Sequence, residues 1–394
     1  MTVPDVPMPQ RFAFAAATAA LVAVFAASGA PIPLYERYRD AEGLSTQDLS
    51  LAAVAYFVAV LVALVVMGRL SNYLGRRVVA LAAVVFAAIG SLTLLDVSNL
   101  GVLLTGRVFH GVACGLASSA LTTYVIDTAP DRPRWLAAGA AAGAPVSGLT
   151  IGALGTGALA QYAPAPLVTT YALDAGLLAV CALLLLFAHD PVERRAGALM
   201  SLRPRVSIPA AVRPLLPGAV AVFGATWALG GFYQAFSPTI ATRDLGTTNT
   251  LVAAVVFASF MAPYALGGPL TARLAPPVAQ RAGIVVFAVA VVGIASSLLA
   301  GSTVGVISFG VIAGAAQGVT FTGSVRTLLA GTSVGERAGL MSAVYLFSYC
   351  GAAVPSLVSG RLSSIVGLPL IAFGYAAFAA LAAVITVRTS RANN

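Results

Sequence analysis

Long apolar runs alternate with short polar breaks along the whole chain, and this rhythm constrains the fold more than any single residue does. An α-helix needs about 20 apolar residues to cross a hydrocarbon core about 30 Å thick. Twelve such runs are read, at roughly 12–34, 48–67, 78–97, 100–124, 135–160, 167–188, 215–240, 248–270, 281–300, 303–328, 337–360 and 367–387. In hydrocarbon each backbone N–H and C=O must be bonded internally, so runs of this length imply helices. The expected fold class is an all-α membrane protein with twelve transmembrane helices. Composition agrees, with 59% hydrophobic and only 9% charged residues where a soluble domain carries about 25% charged. The first run, "QRFAFAAATAALVAVFAASGA", also has the arginine, apolar core and small-residue end of a cleavable signal peptide. Its removal would leave an odd helix count, so it is expected to be retained as the first helix.

Every basic residue is arginine, and the formal net charge is +9. The excess is spread over many short loops and forms no stripe, so nucleic-acid binding is not expected. Its distribution sets orientation by the positive-inside rule. With the N-terminus inside, one side holds sixteen arginines, among them Arg11, Arg69, Arg76, Arg77, Arg132, Arg134, Arg205 and Arg391, against Arg37, Arg39, Arg243 and Arg361 on the other. Both termini are expected to be cytoplasmic, in a bacterial-type inner membrane. Cys114, Cys181 and Cys350 lie inside apolar runs, so neither a disulfide framework nor a metal site is expected.

The longest polar interval, "HDPVERRAGALMSLRPRVSIPAAVRP" at 189–214, divides the helices six and six. The expected units are an N-terminal bundle over 1–188, a cytoplasmic central loop over 189–214 and a C-terminal bundle over 215–394. The halves echo each other: "GRLSNYLGRR" at 68–77 aligns with "GPLTARLAPP" at 268–277, and "GVACG" at 111–115 with "GAAQG" at 314–318. These echoes fit a duplicated bundle, as in transporters built from parallel repeats.

Two stretches carry a family resemblance. "GRLSNYLGRR" resembles G-x-L-x-D-x-x-G-R-R/K, the helix 2–3 loop signature of the major facilitator superfamily of secondary transporters, through Gly68, Leu70, Gly75, Arg76 and Arg77. Asn72 stands where the family usually has aspartate. "RVFHGVACG" resembles the helix 4 signature R-x-x-Q-G-x-x-x-G, with Arg107, Gly111 and Gly115 in place and His110 at the glutamine position. In helix 5, "GLTIGALGTG" keeps Gly148, Gly152 and Gly157 of the drug/proton antiporter signature but has Ala153 at its proline position. The resemblance implies two pseudo-symmetric six-helix bundles that rock about a central site.

The resemblance links Arg107 to proton coupling. A charge at that depth costs about 2.5–3.5 kcal/mol on an insertion scale, so it is normally directed into a cavity or paired; a purely structural tie between helices is the other reading. Asp174, the one acid placed well inside an apolar run, lies at similar depth. Burial and a nearby cation act in opposite senses on a carboxylate's proton affinity, so Asp174 is an expected protonation site, or else a static partner of Arg107 or a water-exposed carboxylate. His110 can titrate near neutral pH, or serve as hydrogen-bonded packing. The resemblance also implies a gating charge cluster of Arg76 and Asp127, with Asn72 neutral and with Glu336 and Arg337 as a possible supplement.

The family's cavity is lined by helices 1, 4, 7 and 10. Here these positions, with helix 11, offer Trp227, Phe232, Tyr233, Gln234, Phe236, Gln317, Phe321, Tyr345 and Tyr349 as candidate solute contacts. Aromatics with a few amides suit a moderately apolar or amphiphilic solute. Other classes fare badly. The chain lacks HExxH for a zinc protease and the second helix carboxylate of an intramembrane aspartyl protease. It has no lysine for a Walker A loop. The expectation is a monomeric proton-coupled exporter of a small amphiphilic or drug-like solute, not an enzyme, with the lipid bilayer, solute and protons as partners. It would need no cofactor beyond the proton gradient. The alternatives are a symporter or facilitator for a sugar or organic acid and, more remotely, a non-transporting receptor or scaffold.

Overall fold

The computed structural model describes residues 8–130, 132–133, 135–204, 206–333 and 336–392; Arg134 and Arg205 of the orientation count lie outside them, as does the Arg391 side chain. Among the described residues twelve helices are long and apolar enough to cross a membrane. They are α1 (Pro9–Glu42), α2 (Thr46–Met67), α3 (Arg76–Thr93), α4 (Leu100–Thr128), α5 (Trp135–Tyr162), α6 (Pro166–Phe187), α7 (Ala210–Asp244), α8 (Thr250–Thr271), α9 (Pro276–Leu299), α10 (Thr303–Ala330), α11 (Gly339–Leu362) and α12 (Leu368–Thr389). The chain is a multi-pass membrane protein. Because the number of spans is even, the start of α1 and the end of α12 lie on one face, called here the near face.

Two ends differ from the hydropathy reading. α1 continues past residue 34 through a 3-10 turn, Ile32–Leu34, into the polar stretch Tyr35–Glu42, which stops at Gly43 with φ 64°. Hydropathy loses the helix there because this stretch of just over two turns carries the charged residues Glu36, Arg37, Arg39, Asp40 and Glu42. α7 is entered through another 3-10 turn, Ala210–Leu215, which follows Pro209 and contains Pro214.

The repeat echo has a packing cause. A Cβ on Gly111 would fall 2.5 Å from the Tyr56 carbonyl oxygen, and one on Gly115 2.5 Å from the Ala63 Cβ, so α4 crosses α2 in near-backbone contact. In the second half Gly314 and Gly318 bring α10 against the backbone of Phe260 and Tyr264 in α8. Small residues at four-residue spacing allow this approach in lipid, where packing replaces the hydrophobic drive. Gly148 and Gly152 do the same for α5 on α1, and Gly157 meets Ala254 of α8 across the two halves.

The central loop is tied down. The Tyr124 hydroxyl donates to the His189 carbonyl at 2.6 Å, and the Arg195 N–H to the Tyr73 carbonyl at 2.8 Å. The Asp190 carboxylate accepts the backbone N–H groups of Arg76 and Arg77 at 3.1 Å each, capping the start of α3. Gly75, at φ 90°, makes room for it, since a Cβ there would collide with that carboxylate. α1 is the most enclosed of the spans and α6 the most lipid-exposed.

Candidate functional site

A cavity of about 310 Å³ lies between the halves. Its wall takes Phe25 from α1, Tyr56 and Phe57 from α2, Ser118 and Thr122 from α4, and Pro145 from α5. The second half supplies Trp227 and Gln234 from α7, Phe257, Met261 and Tyr264 from α8, Gln317 and Phe321 from α10, and Tyr345 and Tyr349 from α11. Most of these positions fall in the middle of their helices or toward the near face, with Gln234 nearer the far end of α7. Among the described residues the lining contains no carboxylate, guanidinium or imidazole. The rings form a continuous wall: Trp227 meets Tyr349 edge-on at 4.7 Å, and Tyr349 faces Phe57 of the other half at 6.3 Å.

Six of the candidate contacts therefore line the cavity: Trp227, Gln234, Gln317, Phe321, Tyr345 and Tyr349. Phe232, Tyr233 and Phe236 do not. Phe232 packs on Tyr375 of α12 at 5.0 Å and on Phe236 at 5.4 Å, while Tyr233 stacks on Phe260 at 5.0 Å. Helical periodicity is the reason, since 227, 230, 231 and 234 share one face of α7 and the other three point away from it. The same spacing would have found Phe257, Met261 and Tyr264 on α8, which sequence reading missed. Tyr56 and Phe57 gave no such signal, because α2 is apolar all round.

Arg107 is fully buried. One guanidinium nitrogen donates to the Ser28 carbonyl at 2.7 Å, and the guanidinium carbon stands 4.5 Å from the centroid of the Tyr56 ring. Tyr56 lines the cavity, so the charge sits directly behind the cavity wall. Its Nε and Nη2 have no hydrogen-bond partner. The static pairing with Asp174, the alternative to a protonation role, is not seen: among the described residues no ion pair joins them. Asp174 shares its helix face with Tyr171 three residues earlier, whose hydroxyl bonds that of Tyr38 at 2.5 Å. One oxygen of Asp174 is buried without a partner, and the residue is not part of the cavity lining. His110 is buried between α3 and α4, 3.3 Å from the Ser91 hydroxyl, and is likewise outside the lining.

At the near face Arg76 pairs with Asp127 at 3.0 Å and donates to the Asn72 side-chain oxygen at 2.6 Å. The whole cluster belongs to the first half. Glu336 does not join it. Its carboxylate accepts the backbone N–H of Ser333 at 3.1 Å and the Ser333 hydroxyl at 2.6 Å, which holds its carboxyl below the usual carboxylate range. Arg337 is exposed. Asp190, which caps α3, was missed because it stands more than a hundred residues from its partners.

Side-chain hydrogen bonds between the helices of the two halves gather at the far face. The buried Glu36 carboxylate accepts from Thr239 at 2.5 Å and from Thr242 at 3.3 Å, and is paired with Arg39. The Ser50 hydroxyl donates to the Ser356 carbonyl at 2.6 Å, and the Thr250 N–H to the Gln161 side chain at 3.1 Å. All lie at far-face ends of their helices.

Two six-helix halves, fastened together at one face around an uncharged cavity that lies toward the other, define a membrane transporter. The family model of the Major Facilitator Superfamily matches residues 13–233, more than half of the chain; the chain belongs to that superfamily. The proton myo-inositol cotransporter hmit-1.1 of Caenorhabditis elegans is 37% identical over 98 residues, which is 24% of this chain and 16% of that protein. The matched stretch is thus a small part of the cotransporter's length. Among solved structures, a bacterial homologue of the human lysosomal transporter Spinster, inward-facing and unoccupied, superposes with a TM-score of 0.72 at 16% identity over 98% of both chains. The nucleoside transporter NupG gives 0.71 at 11% identity over 96% of this chain and 99% of its own. At such identities the likeness is one of fold.

Proposed function

We propose that the chain exports a small, partly apolar solute in exchange for protons by alternating access. The observation that carries this reading is the cavity. Its volume of about 310 Å³ stands at the small end of the roughly 300–1,000 Å³ range of ligand pockets, and its wall is aromatic and uncharged. Such a wall favours neutral solutes and cations of diffuse charge, which stack on ring faces, and offers nothing to neutralise a carboxylate or phosphate. The arginine bias supports a cytoplasmic near face, so the cavity faces the side from which an exporter loads. Rocking of one half against the other would then break the far-face bonds of Glu36 and Ser50. Arg107, behind the wall, and Asp174, with its unpartnered oxygen, are the groups proposed to link proton movement to that rocking.

Proton-driven symport of a polyol, sugar or organic acid is the second reading. It is favoured by the short match to a myo-inositol cotransporter and by the amides of Gln234 and Gln317. Proteoliposomes with a trapped pH dye separate the two. Lipophilic cations, neutral aromatics, sugars and organic acids are applied in turn as gradients. Proton movement opposite to an aromatic solute, lost in Asp174→Asn, is the expected result. Protons moving with a polyol would replace export by symport, and solute flux without protons would reduce Asp174 to a structural residue.

A further inference from the structure

Two polar atoms in the cavity wall have nothing to bond to. The Trp227 Nε1–H and the Gln317 Oε1 are buried and unpartnered, and both side chains line the cavity. Buried polar groups are almost always satisfied, so a pair left open in a cavity wall points to an occupant. Gln317 is 5% exposed, and its amide nitrogen donates to the Thr226 carbonyl at 3.3 Å. Only the nitrogen end of an amide can meet a carbonyl, which leaves the oxygen end free. Thr226 directly precedes Trp227, so the free donor and the free acceptor are anchored at the same turn of α7. Around them Tyr349 and Phe321 lie 4.7 and 6.2 Å from the indole.

We infer that the solute is a neutral carboxamide or lactam on a flat, largely apolar body. Its carbonyl accepts the Trp227 N–H, its own N–H donates to Gln317 Oε1, and its body lies along the aromatic wall. The inference rests on reading the cavity as the solute site. It distinguishes this solute from a quaternary ammonium, which has neither group, and from a polyol, which has no flat face to stack.

The test is calorimetric titration of the full chain in detergent with benzamide, acetophenone, benzyltrimethylammonium and myo-inositol. Benzamide carries both groups, whereas acetophenone keeps only the acceptor. Benzamide is expected to bind about tenfold more tightly than acetophenone, the effect of one net hydrogen bond. Gln317→Leu should abolish that preference, and a melting temperature close to that of the unmodified protein would report an intact fold. Trp227→Phe should weaken both ligands together. Equal binding of benzamide and acetophenone to the unmodified protein overturns the proposal. So does tighter binding of benzyltrimethylammonium or myo-inositol that Phe321→Ala removes, although the cavity reading then stands. If none of the four binds, both fall.

Discussion

The two halves share a scaffold and divide its polar chemistry. Gly111 and Gly115 seat α4 on α2, and Gly314 and Gly318 seat α10 on α8 in the same way. Along these matched helices Arg107 corresponds to Gly310, His110 to Ala313 and Cys114 to Gln317. Among the described residues the buried arginine, histidine and glutamate side chains are Arg107, His110 and Glu36, all in the first half. The second half buries neutral groups, including Gln234, Gln280, Gln317 and Ser324. The close crossings, which tolerate no change in size, are thus matched between the halves, while the positions around them differ. Under the proposed function the half with the buried charges would answer to protons, and the cavity wall, to which both halves contribute, would read the solute.

The sharpest break in this division would come at Arg107. Its guanidinium has two unpartnered nitrogens and rests on Tyr56, a costly arrangement at membrane depth, about 2.5–3.5 kcal/mol on an insertion scale. A residue retained for stability would not be left so poorly paired. Arg107→Leu is expected to leave the melting temperature unchanged or raise it while reducing transport to the level of empty liposomes. Arg107→Lys should not restore transport, because an ammonium cannot both lie flat on the ring and reach the Ser28 carbonyl. A large fall in melting temperature with transport retained would make Arg107 a structural tie and remove the charged half's functional role.

Glu36 is the next test, because it is the charge that crosses between the halves. Its bonds to Thr239 and Thr242 are charge-assisted, and such bonds contribute about 1.5–3 kcal/mol each. Glu36→Ala should therefore shift the population toward a far-open state by tenfold or more. Spin labels at Ala41→Cys and Thr248→Cys, both exposed and one on each half at the far face, would report the change as a longer distance. Glu36→Gln keeps an acceptor and should shift it less. An unchanged distance distribution would leave the closure to Ser50, Gln161 and packing.

Much of this was legible in the sequence, and what was not has definite physical causes. Helix number follows from run length, since hydrocarbon accepts little else. The repeated GxxxG spacing marked the close crossings because only small residues permit them. Trp227 and Gln317 were legible as polar or aromatic residues in apolar runs, but Phe232, Tyr233 and Phe236 looked the same. What separates them is the angle around α7, which composition does not carry and the 227–231–234 spacing does. Asp174 and Arg107 illustrate the same limit: sequence gives depth along a helix, whereas pairing also needs the helices' rotation. The far-face extension Tyr35–Glu42 escaped hydropathy because it is polar, and Asp190 escaped because its partners are distant in the chain. Thus the charge that fastens the halves and the one that caps α3 were both unread.

The smallest expected effect is at Glu336, and it tests the neutral half. The carboxylate is exposed and bonded to Ser333 within its own turn, which holds its carboxyl below the usual range. A carboxyl depressed on folding stabilises the fold above its unfolded value, about 4.3, and the contribution is lost as pH falls through the lower folded value. Glu336→Gln should therefore lower the melting temperature slightly at neutral pH, with the gap to the unmodified protein closing only in acid. Transport should be unaffected, because nothing in this arrangement touches Arg76 or Asp127. A transport defect at neutral pH larger than the stability change would mean that Glu336 meets the first half's cluster in the far-open state. The near face would then be latched by a charge from each half, and the division between a charged and a neutral half would hold only while the cavity lies toward the near face.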